Sequence, residues 1–343
     1  MKALVKPTRY LQGQIQALSS KNYTTRYMLV SALAEGTSII HFPAHSEDSD
    51  AMRRCLKDLG AAIVENDHQM MITGFGKNPL PVKELNVGNA GAVLRFLMSI
   101  AALSQDVTFV NTYPQSLGKR PHDDLIQALE QMKVRIEHQQ GKLPITIYGG
   151  NPRGGSIQVS GSVSSQYLSS LLFLTPMLVD DSEIEVLHDL KSKVVVRQTL
   201  EVLQEAGINL QYTDDLMHYA IPGMQQYQAK EYTVEGDYPG SAAILAAAAV
   251  TSSDVTVLRL KEESLQGEKA VVDVLKAMGV QLTHEGNKVT VHGRKQLQAG
   301  EFDGDQFTDG VLAMVAAAVF AEGTSRFYNI ENLRYKECDR ISD

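Results

Sequence analysis

Short polar turns alternate with apolar segments along this chain. Each turn is rich in Gly, Ser, Asn or Asp, and the segment after it is dominated by Ala, Leu, Val and Ile, with the pair recurring roughly every 70–75 residues. A polar turn followed by a nearly continuous apolar run predicts a helix that is buried on most of its surface. The five pairs are Ser20–Arg26 with Tyr27–Ala34, the stretch Val87–Leu103, Gly161–Gln166 with Tyr167–Leu178, Gly236–Ser241 with Ala242–Val250, and Phe307–Gly310 with Val311–Ala321.

The sequence between these pairs follows one further pattern. After the first pair come a predicted strand at Ser38–Phe42, a helix at Ser49–Leu59, and two strands at Ala61–Glu65 and Gln69–Thr73. The same order returns after the second, third and fourth pairs, with helices predicted at Leu125–Met132, Val194–Ala206 and Glu268–Met278. Helices that share cores with sheets indicate an α/β protein built from repeated βαβαββ units.

The period also bears on the end of the chain. On this spacing the next turn–helix pair would fall at about residue 380, whereas the sequence has 343 residues. We therefore expect a chain that is truncated at its C-terminus and lacks the last unit.

Composition excludes several classes of function. A net charge of −8 argues against a general nucleic-acid binder, because phosphate contacts need a basic face. Cys55 and Cys338 show no pairing or metal-ligand spacing, so we expect free thiols and no metal site. There is no signal-peptide pattern and no apolar run of membrane-spanning length, so we expect a cytoplasmic protein that does not bind membranes.

The turn around Gly91 has the chemistry of an anion site. The first N–H groups of a helix are free to donate, the helix dipole is positive there, and Arg95 follows one turn later. A Gly-rich turn that merely begins a buried helix fits this single copy too. The recurrence of such turns along the chain favours binding of anions.

The motifs in these turns resemble, in order and spacing and over nearly the whole chain, those of the 5-enolpyruvylshikimate-3-phosphate synthase family. The resemblance implies two domains with pseudo-threefold symmetry, 19–235 with three units and 1–18 plus 236–343. The N-terminal strand would then belong to the second domain. The matching motifs are Ser20-Lys21…Arg26, Ser46-Glu47-Asp48, Gly88-Asn89-Ala90-Gly91…Arg95, Lys119-Arg120-Pro121, Gly161–Gln166, Val234–Asp237, Asp309 and Asn332–Arg340.

The resemblance implies a reaction as well. The family transfers the enolpyruvyl group of phosphoenolpyruvate to the 5-hydroxyl of shikimate 3-phosphate and releases phosphate, in the shikimate pathway that leads to chorismate and the aromatic amino acids. No cofactor is needed. We expect these two small molecules as the partners of a monomeric protein.

Roles for individual residues come from the same resemblance. Lys21 would lie between the two substrates and assist proton transfer, Asp309 would accept the proton of the 5-hydroxyl, and Glu337 would exchange the proton at C3 of phosphoenolpyruvate. The other implied ligands are Asn22 and Arg26 for the shikimate carboxylate, Ser164, Ser165, Gln166 and Ser192 for the phosphate of shikimate 3-phosphate, Gly91, Arg120, Gln166 and Arg340 for phosphoenolpyruvate, and Asn332 and Lys336 for the shikimate ring.

Several positions depart from the family pattern. Ala92 stands where threonine is usual, which leads us to expect altered sensitivity to glyphosate, and Val195 stands near a usual tyrosine. The Asp-His-Arg loop and the later lysine of the family's final unit are absent from the sequence. We therefore expect little or no activity from this chain.

Two alternatives stay open. The sister transferase that acts on UDP-N-acetylglucosamine has the same fold, but it carries a cysteine in the loop before its Arg-Pro motif, and residues 114–121 contain none. A non-catalytic protein that binds phosphorylated metabolites would keep the anion turns without needing Asp309 and Glu337.

Overall fold

The protein is described here by a computed structural model covering residues 4, 6–104, 106–251, 253–292, 296–336 and 338–342. The helices are α1 (Lys21–Leu33), α2 (Glu47–Asp58), α3 (Gly91–Ala101), α4 (Asp123–Gln131), α5 (Ser165–Leu174), α6 (Lys193–Glu205), α7 (Tyr238–Val250), α8 (Ala270–Ala277) and α9 (Val311–Ala318). Short 3-10 helices lie at Leu117–Lys119, Thr175–Met177, Gly267–Lys269, Gly304–Phe307 and Glu331–Tyr335.

The strands are mostly short. They are β1 (Gln12–Gln16), β2 (Ala34–Glu35), β3 (Thr37–His41), β4 (Ala62–Glu65), β5 (Gln69–Thr73), β6 (Glu84–Asn86), β7 (Val107–Val110), β8 (Arg135–Gln139), β9 (Lys142–Tyr148), β10 (Gly155–Ser160), β11 (Ser182–Leu187), β12 (Gln211–Tyr212), β13 (His218–Ile221), β14 (Tyr227–Gln228), β15 (Glu231–Thr233), β16 (Asp254–Leu258), β17 (Leu282–Glu285), β18 (Lys288–His292), β19 (Leu297–Gln298), β20 (Glu301–Asp303), β21 (Ala321–Glu322) and β22 (Arg326–Tyr328).

One sheet topology is repeated. The four-stranded sheets within the described residues run β15-β3-β5-β4, β6-β7-β9-β8, β10-β11-β13-β12 and β1-β16-β18-β17. In each, the first pair is parallel and the other two are antiparallel. A parallel pair needs a crossover, which α3 provides between β6 and β7 and α5 provides between β10 and β11. The α/β class and the repeated unit predicted from the sequence are confirmed.

The chain divides into two compact units. The larger unit contains residues 21–234 and 334–343, and the smaller unit contains residues 1–20 and 235–333. Three of the four-stranded sheets belong to the larger unit, and the fourth belongs to the smaller unit. The division expected from the sequence, at 19–235, stays a prediction.

The core of the larger unit is formed by α1, α3 and α5. Nearly every residue of each helix is buried, as the apolar runs predict. The Phe96 ring on α3 meets the Phe173 ring on α5 edge to face, with centroids 5.1 Å apart. Aromatic pairs in this geometry add to the stabilisation that burial alone provides.

The smaller unit contains the N-terminal strand. β1 pairs in parallel with β16, from Gln12 opposite Asp254 to Gln16 opposite Leu258. A shorter parallel pair, β20 with β22, carries α9 between its strands. The core of this unit is formed by α7, α8, the buried side of α9 and the inner faces of the sheets.

Two short segments leave the smaller unit side by side. The N–H of Ser20 donates to the carbonyl of Glu235 at 2.9 Å, and the N–H of Asp237 donates to the carbonyl of Leu18 at 2.7 Å. The backbone hydrogen bonds therefore hold residues 18–20 against residues 235–237, at the point where both segments change from one unit to the other.

The first helix begins earlier than expected. The sequence predicts a loop to Arg26 and a helix from Tyr27, whereas α1 already begins at Lys21. The Thr25 hydroxyl donates to the carbonyl of Lys21 at 3.0 Å and Tyr23 is buried, so this polar turn is stabilised as helix by contacts that periodicity does not reveal. Lys21 and Arg26 thus lie on a helix and not in a loop.

Candidate active site

Arg95 organises the candidate site in the larger unit. It lies on the second turn of α3, is 8 % exposed, and donates from Nη1 to Oε1 of Gln166 at 2.6 Å and to the Ser164 hydroxyl at 3.4 Å. Its guanidinium also lies over the Tyr167 ring, 5.3 Å from the centroid. Arg95 therefore joins the start of α3 to the start of α5.

Gly91 and Arg120 meet at the same place. A Cβ added to Gly91 would come 3.0 Å from Nη1 of Arg120 and 3.6 Å from Nη1 of Arg95, so the missing side chain lets both guanidiniums approach the first turn of α3. The N-cap residue Ala90 makes no side-chain cap hydrogen bond. A helix start with two arginines beside it is a strong anion site.

Contacts fix the loop that carries Arg120. Oδ1 of Asn89 accepts a hydrogen bond from the Leu117 N–H at 3.2 Å, which ties the turn before α3 to the 3-10 helix before Arg120. The Tyr167 hydroxyl donates to the carbonyl of Pro121 at 2.7 Å. Arg120 is thereby placed from two directions.

His122 is buried behind this arginine pair. The side chain is fully buried, and its two ring nitrogens have no hydrogen-bond partner among the described residues. Burial, together with the charges of Arg95 and Arg120, lowers the pKa of His122 to about 3. The imidazole is therefore neutral near pH 7 and adds no charge to the site.

The start of α5 provides hydroxyl and amide groups. Ser164 is the N-cap, and its hydroxyl accepts from the Gln166 N–H at 3.3 Å, while Ser165 is buried. Because of the contacts of Arg95, these residues lie beside Gly91 and Arg120. The structure thus brings five residues that the sequence singled out into one cluster, which we call the arginine cluster: Gly91, Arg95, Arg120, Ser164 and Gln166.

Ser192 lies at the start of α6, next to the loop that leads into α5. It adopts a left-handed conformation, with φ of 52°, and makes no cap hydrogen bond. The Lys191 N–H donates to the carbonyl of Gly161 at 3.1 Å, which holds this turn against the loop of Gly161–Gln166. Its assignment as a phosphate ligand stays a prediction.

Arg26 is buried away from solvent, at 1 % exposure. Its Nε donates to the Thr199 hydroxyl at 3.0 Å and its Nη1 to the carbonyl of Asn22 at 3.0 Å, and its guanidinium lies over the Phe96 ring. Burial lowers its pKa to about 10, so it stays charged at neutral pH. Among the described residues no carboxylate forms an ion pair with it, which leaves the charge suited to an anionic ligand.

Lys21 lies at the first position of α1 and is half-exposed. Its Nζ forms an ion pair of 3.1 Å with Oδ2 of Asp48, in the first turn of α2. The neighbouring Asn22 is partly buried. Exposed pairs of this kind are weak, so an anionic substrate could compete with Asp48 for Lys21.

Asp309 lies in the smaller unit, just before α9. It is partly buried, and its N–H donates to Oε1 of Glu268 at 3.2 Å. A Cβ added to the next residue, Gly310, would come 2.7 Å from Cγ1 of Val271 on α8. The turn is therefore held close against the residues that begin α8.

The C-terminal motif is described only in part. Asn332, Lys336 and Arg340 are partly buried, and Oδ1 of Asn332 is buried without a hydrogen-bond partner among the described residues. Glu337 lies outside the described residues. Arg334 pairs with Asp339 at 2.8 Å, an ion pair that the sequence did not suggest.

A cavity of about 400 Å³ lies elsewhere in the larger unit. Its lining includes Asp124, Gln158 and His188, together with Ser162 and Val163 from the loop before α5. Burial raises the pKa of Asp124. The residues of the arginine cluster do not line this cavity, so we do not assign the predicted site to it.

In the described residues, no set of three or more His, Cys, Asp and Glu side chains is arranged to hold a metal ion. No helix within the same residues combines the length and apolar character needed to cross a bilayer.

Sequence reasoning missed two contributions. It named Arg95 beside the anion turn but did not predict its contacts with Ser164 and Gln166. It did not mention Glu268 as a partner of Asp309. An acid ahead of an apolar helix is common, so the sequence held no signal that could have distinguished Glu268.

Comparison with known proteins gives a consistent result. The family model for EPSP synthase (3-phosphoshikimate 1-carboxyvinyltransferase) matches residues 5–343. A relative from Deinococcus radiodurans named 3-phosphoshikimate 1-carboxyvinyltransferase is 49 % identical over 340 residues, covering 99 % of this chain and 77 % of the relative. One of the same name from Methanosarcina mazei is 38 % identical, covering 96 % of this chain and 78 % of the relative.

Solved structures are similar in fold. EPSP synthase from Acinetobacter baumannii has a TM-score of 0.81 at 23 % identity, covering 96 % of this chain and 76 % of that one. The enolpyruvyl transferase NikO from Streptomyces tendae has a TM-score of 0.72 at 15 % identity, covering 92 % and 74 %. At these identities the likeness concerns the fold.

The expected truncation is not borne out, because the family match extends over residues 5–343. The low activity that we expected on that ground has no support in these comparisons.

Proposed function

The chain belongs to the EPSP synthase (3-phosphoshikimate 1-carboxyvinyltransferase) family, and from this premise we propose that it transfers the enolpyruvyl group of phosphoenolpyruvate to the 5-hydroxyl of shikimate 3-phosphate. The observation that carries the proposal is the arginine cluster. Family membership makes the chain an enzyme of the shikimate pathway that acts on small molecules.

Binding needs several cations, because the two substrates together carry two phosphates and two carboxylates. Arg120, beside the open start of α3, binds phosphoenolpyruvate together with Gly91 and Gln166. The hydroxyls of Ser164 and Ser165, with Ser192 on the neighbouring turn, bind the phosphate of shikimate 3-phosphate. Support for this assignment comes from Arg95, which bonds both Ser164 and Gln166 while it lies against Gly91.

Arg26 binds the carboxylate of shikimate 3-phosphate, with Asn22 beside it. A planar guanidinium suits a carboxylate, and the buried charge has no carboxylate partner in the described part of the protein. Asn332 and Lys336 bind the shikimate ring, and Arg340 binds phosphoenolpyruvate.

Proton transfer falls to three groups. Glu337 delivers a proton to C3 of phosphoenolpyruvate, which makes C2 electrophilic. Asp309 accepts the proton of the 5-hydroxyl as its oxygen forms the bond to C2, and Lys21 assists this transfer between the substrates. The tetrahedral ketal phosphate then loses phosphate from C2 and a proton from C3, which restores the double bond in the product. A positioned acid or base accelerates such steps by about 10²–10⁴-fold.

Turnover tests the proposal directly. With both substrates present we expect release of phosphate together with the enolpyruvyl ether of shikimate 3-phosphate, and no release when shikimate 3-phosphate is omitted. The Asp309→Asn variant should lose about 10²–10⁴-fold in kcat. The matched Asp273→Asn variant, which removes an exposed carboxylate from α8, should keep the parental rate.

Other outcomes would point elsewhere. Binding of shikimate 3-phosphate without any turnover would favour a protein that only binds phosphorylated metabolites. Turnover with UDP-N-acetylglucosamine as acceptor would favour the sister activity, which the names of the relatives do not support. We also propose a cytoplasmic monomer that does not bind nucleic acid, which cell fractionation, light scattering and a DNA-binding assay would test.

A further inference from the structure

We propose that Glu268 is a positioning residue for Asp309, because its carboxylate accepts the main-chain N–H of Asp309 and places a second negative charge beside that side chain. The inference rests on the proposed function for the role of Asp309 in catalysis. The contact itself lies within the smaller unit.

The first support is the way the Asp309 turn is held. Glu268 lies in the 3-10 helix at Gly267–Lys269, which runs directly into α8, and Val271 lies one turn later on α8. Glu268 bonds the N–H of Asp309 at 3.2 Å, while Gly310 packs against Val271 so closely that no side chain would fit. One short stretch of chain thus holds two successive residues of the turn.

The second support is how this stretch is itself anchored. The side-chain amide of Gln266 donates to Oε1 of Glu235 at 2.6 Å and to the carbonyl of Gly236 at 2.7 Å. The Ser264 hydroxyl also donates to Oε1 of Glu235. Residues 264–268 therefore bind the segment that joins the units at one end and the Asp309 turn at the other.

The third support is burial. Glu268 is 8 % exposed, and a charge so little hydrated interacts with nearby charges more strongly than one in water. The covalent reach of Asp309 from its N–H to its carboxyl puts the two carboxyl groups within roughly 8 Å of each other. A neighbouring negative charge favours the protonated form of a carboxyl, which would make Asp309 a better proton acceptor once it is ionised.

The helices on either side of this turn add little charge of their own. α7 and α9 contain no Asp, Glu, Lys, Arg or His. Other packed elements carry charged groups. Asp237 accepts from the Gly240 N–H, Asp273 pairs with Lys276, and Lys269 donates to the carbonyl of Glu262. Asp303 and Asp305 lie around the 3-10 helix at Gly304–Phe307, and Arg326 on β22 pairs with Glu301.

The Glu268→Gln variant separates charge from geometry. Its amide oxygen keeps the acceptor for the Asp309 N–H while the negative charge is removed. In protein labelled with 13C at the aspartate carboxyl carbons, with the Asp309 signal assigned by comparison with Asp309→Asn, we expect the titration midpoint of Asp309 to fall by about one pH unit in Glu268→Gln. The Asp273→Asn control should leave that midpoint in place.

Turnover provides the second readout. The acid limb of the pH profile of kcat should move to lower pH by a similar amount in Glu268→Gln, while Glu268→Ala should also lose rate at every pH because the turn is no longer held. An unchanged Asp309 midpoint in folded Glu268→Gln would overturn the proposal. Full activity of Asp309→Asn would instead overturn the proposed role of Asp309, and the midpoint shift would survive it.

Discussion

The starts of the apolar helices differ in charge between the two units, although the units share one sheet topology. These helices are α1, α3 and α5 in the larger unit and α7 and α9 in the smaller unit. In the larger unit the second turns of α1 and α3 hold buried arginines, Arg26 at 1 % exposure and Arg95 at 8 %. In the smaller unit the turn before α9 holds Asp309, next to the buried Glu268. One sheet topology can therefore support sites of either charge, because these charged side chains lie near the helix starts and not on the sheets.

The two units also differ in how completely their inner helices are covered. On α3 every residue except Ala92 is buried. On α9, Leu312 is 48 % exposed and Val319, just beyond its end, is 77 % exposed. Both helices are apolar, so apolar sequence alone does not determine how far each helix is buried.

Truncation of apolar side chains should give the largest difference between the two units in the free energy of unfolding. The Leu97→Ala variant, on fully buried α3, should lower the free energy of unfolding by about 2–5 kcal/mol. The Leu312→Ala variant on α9 should change it by no more than about 0.5 kcal/mol. Urea denaturation followed by circular dichroism measures both, and equal losses would mean that α9 is covered in solution.

Removal of the bridging arginine comes next. The Arg95→Met variant leaves the side-chain oxygen Oε1 of Gln166 without its charged donor. We therefore expect the affinity for shikimate 3-phosphate to fall by about 10–100-fold. Arg95→Lys keeps the charge but loses the planar guanidinium that lies over the Tyr167 ring, so it should recover only part of the loss. Calorimetric titration measures each Kd. Arg135→Met, at an exposed site, is the control and should bind like the parent.

A smaller effect concerns pH. The pKa of His122 is lowered to about 3 in the folded state, against about 6.5 in an unfolded chain. The unfolded state therefore binds the extra proton between these values, so the stability contribution of neutral His122 is present above pH 6.5 and is lost as pH falls. We expect this group to contribute a slope of up to about 1.4 kcal/mol per pH unit in that window.

The His122→Gln variant checks this expectation. Its free energy of unfolding should fall less steeply than that of the parent between pH 6 and pH 4, while His68→Gln, at an exposed histidine, should keep the parental slope. Equal slopes for all three proteins would show that His122 is not held neutral.

Much of the fold could be predicted from the sequence, because apolar runs and glycine stops recur with one period. The helix expected at Val194–Ala206 is observed at Lys193–Glu205. Residues 175–178 were expected to continue a helix, but α5 ends at Leu174 and Pro176 lies in a 3-10 turn. Local pattern identifies elements well and their ends less well.

The candidate site could be predicted less completely from the sequence than the fold. Gly91, Arg120, Ser164 and Gln166 were selected by motif, but the link among them is Arg95, whose partner Gln166 lies 71 residues along the chain. The partnership of Glu268 and Asp309 likewise joins residues 41 positions apart. Such contacts depend on packing between successive βαβαββ repeats, which the periodicity of the sequence does not reveal.

The measurement that tests the division of roles most directly is the equilibrium binding of shikimate 3-phosphate to the Asp309→Asn variant. If the arginine cluster and Arg26 of the larger unit bind this substrate and Asp309 only accepts its proton, the Kd should stay within about threefold of the parent while turnover is lost. Loss of binding in parallel with loss of turnover would contradict the account.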